Sequence, residues 1–197
     1  MYFNQKKISP IILFIVVTLF IGIILFIIKL VTDNDELLGV WNGVSIYSNN
    51  DYSTNHNNDN LNNNSNSNSN SNSNYYNGIY TGIKWQCVEF ARRYLIVTHG
   101  ITFSDVTSAF QIPDAKFTTL DGKKNIEVRN DLQVGSLIVW PKNYMTNSVD
   151  GHVAVVSSIT PTGITVVEQN YDNKNEINRF ISRDDMRNTT ILTVELN

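Results

Sequence analysis

A tract made almost entirely of asparagine and serine interrupts the chain at residues 49–74. It ends in a strict Asn-Ser alternation and contains Leu61 as its single aliphatic residue. Such a composition cannot bury enough apolar surface to offset the entropy lost on ordering, so we expect the tract to be disordered. Residues 75–197, which follow it, are long enough to form a sizeable hydrophobic core.

An uncharged apolar segment at residues 10–28 precedes the tract. As a helix it would extend about 28 Å, roughly the hydrocarbon thickness of a bilayer. A cleaved signal peptide is the alternative, but its apolar core would be shorter and followed by a small-residue cleavage site. We therefore predict one transmembrane signal anchor at residues 10–31, which would bind the lipid bilayer, after a short cytoplasmic N-terminus at residues 1–9.

Flanking charge predicts the orientation of this anchor. Lys6 and Lys7 precede the segment and Lys29 follows it. The positive-inside rule counts lysine and arginine, and this weak bias places the N-terminus in the cytoplasm. We therefore expect a single-pass membrane protein whose remaining domain, residues 37–197, is luminal or extracellular.

The composition excludes several functional classes. The net charge of −3, without a basic stripe, gives no surface for a nucleic-acid partner. A single cysteine excludes an intramolecular disulfide framework and a cysteine-rich metal cluster. The three histidines, His56, His99 and His152, lack the spacing of metal ligands, so neither a metal nor a cofactor is predicted.

Residues 86–98 have the spacing of an amphipathic helix. Positions three and four apart form one face, which comprises Cys87, Phe90, Ala91, Tyr94 and Thr98. Gly100 follows, and glycine favours the left-handed conformation that ends many helices. The sequence therefore predicts a helix that begins close to the single cysteine.

Beyond Pro113 the pattern changes to short β-branched runs bounded by glycine or proline. This pattern predicts strands, at residues 135–140, 151–156 and 163–168 and, more weakly, at 179–181 and 191–196. Before the tract, a turn at residues 39–43 precedes a predicted strand at 44–47. One early helix followed by a run of strands indicates an α+β fold with an antiparallel sheet.

Three side chains in this arrangement could perform nucleophilic catalysis. Cys87 lies in the first turn of the predicted helix, where free N–H groups and the helix dipole favour the thiolate. His152 begins one predicted strand and Glu168 ends the next, so pairing of these strands would bring them together. Asn170 would point the same way as Glu168 if the strand continued. A thiol, an imidazole and a carboxylate make a nucleophile, a base and an orienting group.

Structural roles remain open for each of these residues. A single helical cysteine such as Cys87 is most often a small core residue. A lone histidine is more often structural than catalytic, and Glu168 could face solvent. The residue pattern alone therefore proposes a Cys-His-Glu site without requiring one.

Residues 82–95, with the sequence GIKWQCVEFARRYL, resemble the catalytic helix of the CHAP family of papain-like cysteine amidohydrolases. Within that family the similarity is to the amidase domains of glutathionylspermidine synthetases. Further similar pieces follow in the family's order at residues 37–39, 43–48, 135–140, 151–156, 167–170 and 189–192. The resemblance implies a papain-like CHAP fold, in which an N-terminal catalytic helix packs on an antiparallel sheet, here preceded by one transmembrane helix.

The resemblance also implies roles for the three candidate catalytic residues. Cys87 corresponds to the nucleophile and His152 to the general base that later acts as an acid. Glu168 corresponds to the residue that orients His152. The implied reaction is hydrolysis of an amide through a thioester intermediate.

Three further positions match assisting residues of the family. Gln86, together with the backbone N–H of Cys87, corresponds to the oxyanion hole. Asn170 matches a polar residue that assists in many CHAP enzymes, and Arg92 matches an arginine near the substrate in the glutathionylspermidine amidases. No segment similar to the ATP-dependent synthetase is expected.

Two enzymatic hypotheses and one non-enzymatic hypothesis follow. The first is an amidase that releases glutathione and spermidine from glutathionylspermidine, a small amide substrate. The second is a peptidoglycan amidase or endopeptidase, because much of the CHAP family cuts wall peptides. The third is a binding protein without activity, which the intact set of Cys87, His152 and Glu168 disfavours.

Overall fold

The computed structural model describes residues 15–24, 35–49, 72–144, 148–171 and 177–195. Two compact units make up the chain, Met1–Glu36 and Leu37–Asn197. In the first unit, the described residues 15–24 are helical. The second unit carries the strands, the long helix and every predicted site residue.

The second unit begins with two hairpins, followed by the helix and then by the strands of the main sheet. The elements before the main sheet are β1 (Leu37–Trp41), β2 (Val44–Tyr47), β3 (Ser73–Tyr76), β4 (Ile79–Ile83), α1 (Cys87–His99), β5 (Ile101–Phe103), a 3₁₀ helix (Ala109–Asp114) and β6 (Phe117–Thr119). The main sheet comprises β7 (Val128–Arg129), β8 (Leu137–Trp140), β9 (His152–Thr160), β10 (Gly163–Val167), β11 (Asn178–Ser182) and β12 (Thr190–Val194).

The main sheet has six strands in the order β11-β10-β9-β8-β12-β7, and all neighbours are antiparallel. Helix α1 packs against β9 of this sheet and also against β4, β5 and β2. This arrangement confirms the predicted α+β fold, a papain-like helix packed on an antiparallel sheet. The central strands agree with the predicted strands to within a few residues, except that β9 extends four residues further.

Both faces of the central sheet are buried. Successive apolar side chains along a strand point to opposite faces, so neither face is polar. In β8, Leu137 and Val139 face the core that contains the helix residues Phe90 and Leu95. Ile138 and Trp140 face a second core on the opposite side. A strand covered on both faces reads as a continuous apolar run, which is the pattern of residues 137–140.

Helix α1 ends where the sequence predicts. Gly100 adopts the left-handed conformation with φ 64° and ψ 30°. Its backbone N–H donates to the carbonyl oxygens of Ile96 and Leu95, which satisfies acceptors left free at the helix end.

The N-terminal part of this unit differs from the prediction. Residues 39–41, expected to lie in a turn, belong to β1, and the turn consists of Asn42 and Gly43 alone. Both turn residues have positive φ, 48° and 77°. An Asn-Gly pair is the residue combination that two-residue hairpin turns favour, so β1 and β2 pair as a hairpin.

Gly151, immediately before β9, has a backbone that accepts no side chain. Its φ is 67°, and a Cβ atom there would lie 2.4 Å from the carbonyl oxygen of Trp140. We expect Gly151→Ala to destabilise the fold by more than about 1 kcal/mol and to displace His152. Gly122→Ala is the control, because Gly122 has φ 70° with open space around its Cβ position. Urea unfolding that gave the same loss for both variants would contradict the steric account.

Most of the asparagine and serine tract, residues 50–71, lies outside the described residues. The two ends of this tract, residue 49 and residues 72–74, are described, and they are ordered. Asn49 is buried, and Ser73 and Asn74 belong to β3. Asn74 also donates a 2.8 Å hydrogen bond from Nδ2 to Oε1 of Glu89, so the end of the tract contacts helix α1.

The prediction of a single-pass membrane localisation is wrong. Within the described residues, no helix is long and apolar enough to cross a membrane. Of the proposed anchor at residues 10–31, the described residues 15–24 are helical. The rest of that segment and the N-terminus at residues 1–9 lie outside the described residues.

Candidate active site

Cys87 is the first residue of helix α1. Gln86 forms the N-cap in an extended conformation, with φ −81° and ψ 160°. The N–H groups of the first helical turn have no partner within the helix, so they and the positive end of the helix dipole lie next to the Cys87 thiol. The cysteine is partly exposed, which leaves its sulfur accessible to a substrate.

His152 and Glu168 form a buried pair behind Cys87. His152 opens β9 opposite Trp140 of β8, and Glu168 directly follows β10. Antiparallel pairing of β9 with β10 brings His152 Nε2 to 2.8 Å from Glu168 Oε2. The two residues are 3% and 1% exposed, so water does not compete for this contact.

The structure also brings His152 to Cys87. Burial lowers the pKa of His152, but the charge of Cys87, its hydrogen bond and then the contacts with Glu168 outweigh this effect. The net result raises the pKa of His152 to about 9. Because Nε2 contacts Glu168, Nδ1 is the ring nitrogen left for Cys87. At neutral pH the imidazole therefore carries a proton beside the thiol.

This protonation predicts a pH dependence. The imidazolium stabilises the folded arrangement below about pH 6.5 in full, and this contribution is lost as the pH rises through about 9. We expect the His152 signal in an NMR titration of the full chain to move near pH 9. In Cys87→Ala the midpoint should fall, because the largest favourable partner is gone. A midpoint at or below 6.5 in the unmodified chain would contradict the pairing.

Glu168 also contacts a second cationic side chain. Arg179 of β11 donates from Nε to Glu168 Oε1 at 2.5 Å and from Nη2 to Oε2 at 2.7 Å. Burial raises the pKa of Glu168, but the hydrogen bonds from Arg179 and His152 and their charges lower it overall. The carboxylate is therefore ionised at neutral pH.

Gln86 and Asn170 contact each other. Strand β10 ends at Val167, and Asn170 has a left-handed φ of 55°, so the strand does not continue to Asn170. Asn170 instead donates from Nδ2 to Oε1 of Gln86 at 2.6 Å. This contact holds the side-chain oxygen of Gln86 and leaves its amide NH₂ group free to act as a donor.

Arg92 is 2% exposed, and its guanidinium is held by the protein. It donates to the carbonyl oxygens of Thr81 and Ser104, each at 3.2 Å, and pairs with Asp105 at 3.2 Å. Burial lowers the pKa of Arg92, against the opposing charge of Asp105. Its Nε atom is buried and has no hydrogen-bond partner among the described residues.

A cleft of about 580 Å³ lies over Cys87. It is lined by Tyr80, Gly82, Ile83, Gln86, Cys87, Val88, Arg92, Val106, Thr107, Ser108, Ala109 and Asp150. Three predicted site residues, Gln86, Cys87 and Arg92, therefore share its wall, and His152 and Glu168 are buried. Among the described residues no group of three His, Cys, Asp or Glu side chains could hold a metal ion.

A buried polar network next to the site was not predicted from the sequence. Glu89 is fully buried, and Arg93 donates to both of its carboxylate oxygens at 2.7 and 3.1 Å. Gln169, between the candidate residues Glu168 and Asn170, donates to Glu89 Oε2 at 3.1 Å and to the carbonyl oxygen of Gln86 at 3.4 Å. The network therefore joins the loop after β10 to the first turn of α1.

The sequence contains a local pattern for one contact of this network, the ion pair between Glu89 and Arg93. Glu89 and Arg93 are four residues apart on a helix, the spacing of a favourable ion pair. Gln169 had no local signal, because its partners lie more than 75 residues away along the chain. Arg179 likewise lay only in a weakly predicted strand.

A cysteine at the N-terminus of a helix, paired with a histidine and a carboxylate from an antiparallel sheet, defines the class of papain-like cysteine amidases and peptidases. The comparison with protein families agrees with this class. Residues 74–170 match the CHAP domain family, so the chain carries a CHAP domain and the resemblance predicted from its sequence is confirmed.

Curated relatives support the same class of hydrolase. The chain is 34% identical over 111 residues to the bifunctional glutathionylspermidine synthetase/amidase of Escherichia coli (strain K12), which covers 49% of this chain and 17% of that protein. It is 32% identical over 103 residues to the trypanothione synthetase of Crithidia fasciculata, covering 48% and 16%. The chain thus spans less than a fifth of the length of these relatives.

Solved structures give a weaker similarity. An N-acetylmuramoyl-L-alanine amidase from Staphylococcus aureus is 19% identical with a TM-score of 0.43, and covers 56% of this chain and 30% of that chain. A TM-score this low carries no functional argument. The family match and the curated relatives support the class of cysteine amidases and peptidases for residues 74–170.

Proposed function

We propose that the chain is a cysteine amidohydrolase that cleaves an amide through a thioester on Cys87. The contact that carries this proposal is the one between Cys87, at the N-terminus of α1, and His152, whose Nε2 lies 2.8 Å from Glu168. A thiolate next to an oriented imidazolium is the arrangement of an activated nucleophile.

In the first half-reaction the Cys87 sulfur attacks the amide carbonyl carbon and the C–N bond breaks. The oxygen that gains negative charge accepts hydrogen bonds from the backbone N–H of Cys87 and from the Gln86 amide. Asn170 holds Gln86 Oε1, so the Gln86 NH₂ group is oriented for this role. His152 gives its proton to the leaving amine.

In the second half-reaction His152, now neutral, accepts a proton from water. The water oxygen attacks the thioester carbonyl, the carboxylic acid leaves, and Cys87 and His152 regain their starting charges. Glu168 keeps the imidazole in position through both steps, since its carboxylate remains hydrogen-bonded to Nε2.

We propose a glutathionylspermidine-type amide as the substrate, cleaved to glutathione and spermidine. The proposal is supported by the name of the Escherichia coli relative, a glutathionylspermidine synthetase/amidase. The CHAP family match at residues 74–170 contains every candidate site residue. The cleft over Cys87 also has Arg92 in its wall, the arginine expected near the substrate from the family resemblance.

The test is incubation of the full chain with glutathionylspermidine, with free spermidine measured by chromatography. Parallel reactions contain purified peptidoglycan, with new amino groups measured as the readout. A higher rate of spermidine release than of amino-group formation from peptidoglycan supports the proposed substrate. Cleavage of peptidoglycan without spermidine release would overturn the substrate and keep the amidase, and cleavage of neither would overturn both.

A further inference from the structure

Two cationic side chains share the carboxylate of Glu168, and the proposed reaction uses only one of them. His152 occupies Oε2 at 2.8 Å. Arg179 binds both oxygens, Oε1 through Nε at 2.5 Å and Oε2 through Nη2 at 2.7 Å. A bidentate contact of this kind fixes the plane of a carboxylate as well as its position.

The surroundings of Arg179 fix its guanidinium in turn. The guanidinium carbon lies 3.5 Å from the ring centroid of Tyr171 and 5.1 Å from that of Trp140. The same two rings flank His152, with centroid distances of 5.4 Å to Tyr171 and 5.7 Å to Trp140. Arg179 and His152 therefore belong to one packed group built around Glu168.

We propose that Arg179 is a positioning residue, which holds Glu168 in the ionised and oriented state that His152 requires. This inference rests on the proposed function, because it assigns a role to the catalytic carboxylate. Arg179 acts through Glu168 and not on the substrate, since its guanidinium donates to both carboxylate oxygens and packs on the Tyr171 ring.

The physical argument concerns the cost of burying a carboxylate. Glu168 is 1% exposed, and burial alone favours its neutral form. Neutral Glu168 would offer a weaker acceptor to His152, and its carboxyl group could rotate. Arg179 supplies a charge that is independent of pH throughout the working range, so Glu168 stays ionised even when His152 gives up its proton during catalysis.

Among the described residues, few groups could set the titration of Glu168. His152 faces it from β9 and Arg179 from β11, and the Tyr171 ring packs on both. Cys87 of α1 lies beyond His152. Removal of the Arg179 charge is therefore expected to raise the pH at which Glu168 takes up a proton.

The experiment compares Arg179→Gln, Arg179→Lys and the unchanged full chain across pH 4 to 9. Two rates are measured, kcat/KM for spermidine release and the alkylation of Cys87 by iodoacetamide, which is unambiguous because the chain has one cysteine. Arg187→Gln is the control, since this arginine pairs with Asp184 at an exposed site.

We expect the acid limb of both profiles to move up by roughly one pH unit in Arg179→Gln. Arg179→Lys retains the charge but not the bidentate geometry. In this variant we expect the acid limb of both profiles to stay in place and kcat to fall at unchanged KM. Arg187→Gln should match the unchanged chain.

Profiles of Arg179→Gln that overlay those of Arg187→Gln would overturn the proposal. If Arg179→Gln does not fold, the lysine variant decides, and an unchanged kcat at every pH would overturn it. The alkylation assay needs no substrate, so it distinguishes failure of the proposed function from failure of the proposed role of Arg179. If the unchanged chain releases no spermidine but the acid limb of Cys87 alkylation still moves in Arg179→Gln, the proposed function alone is refuted. If the unchanged chain releases spermidine but the acid limb stays in place in Arg179→Gln, the role of Arg179 alone is refuted.

Discussion

Replacement of Cys87 by alanine is expected to lower kcat for amide cleavage by at least about 10³-fold, because the covalent route is lost with the sulfur. The fold should persist, since Cys87 is partly exposed at the first turn of α1 and only borders the core. Spermidine release by the full chain measures the loss, and circular dichroism checks the fold.

Cys87→Ser provides a sharper comparison. It retains a nucleophilic atom at almost the same position, but a hydroxyl is far harder to ionise than a thiol. Its activity should therefore lie close to that of the alanine variant. Full activity of either variant, in a folded chain, would remove Cys87 from the mechanism and with it the cysteine amidase assignment.

Replacement of Glu89 by alanine is expected to cost about 3–5 kcal/mol of folding free energy, because it leaves a buried cation without its partner. The Arg93 side chain is 7% exposed and that of Glu89 is 0% exposed. The donors on Arg93, Gln169, Thr81 and Asn74 would all lose an acceptor. Urea unfolding measures the loss.

The matched control is Glu195→Ala. Glu195 also accepts from an arginine, Arg129, at 2.7 Å, but these side chains are 43% and 47% exposed. Solvent screens such a pair, so its removal should cost no more than about 1 kcal/mol. Equal losses at Glu89 and Glu195 would show that burial does not decide the strength of the Glu89 pair.

The sequence predicted the helix and the central strands because their signals are local. Gly100 ends α1 through its own backbone freedom, and residues 137–140 form a strand because a short β-branched run is bounded by Gly135 and Pro141. The closeness of His152 and Glu168 followed from one further assumption, that successive strands pair.

Features that depend on distant contacts were missed. Gln169 reaches Glu89 and Arg93 only after β10 and α1 have come together, and no local pattern encodes that meeting. Arg179 reaches Glu168 because β11 pairs with β10 in a register that sets Val166 opposite Arg179. A register of this kind depends on the whole sheet.

The structure does not meet the condition stated for Asn170, and the predicted membrane localisation was wrong. Asn170 would point the same way as Glu168 only if the strand continued, but the strand ends at Val167, and the left-handed conformation of Asn170 turns it toward Gln86. The membrane localisation was inferred from apolar composition over residues 10–28, yet the described residues contain no helix that meets the requirements for a span.

The central claim is that amide cleavage passes through an acyl group on Cys87, and trapping with hydroxylamine tests it most directly. The full chain cleaves glutathionylspermidine in increasing hydroxylamine, and the acyl product is resolved as free acid or hydroxamate. The account predicts that hydroxamate replaces free acid in proportion to hydroxylamine, and that Cys87→Ala forms neither. Free acid alone at every hydroxylamine concentration, with spermidine released at the normal rate, would contradict it.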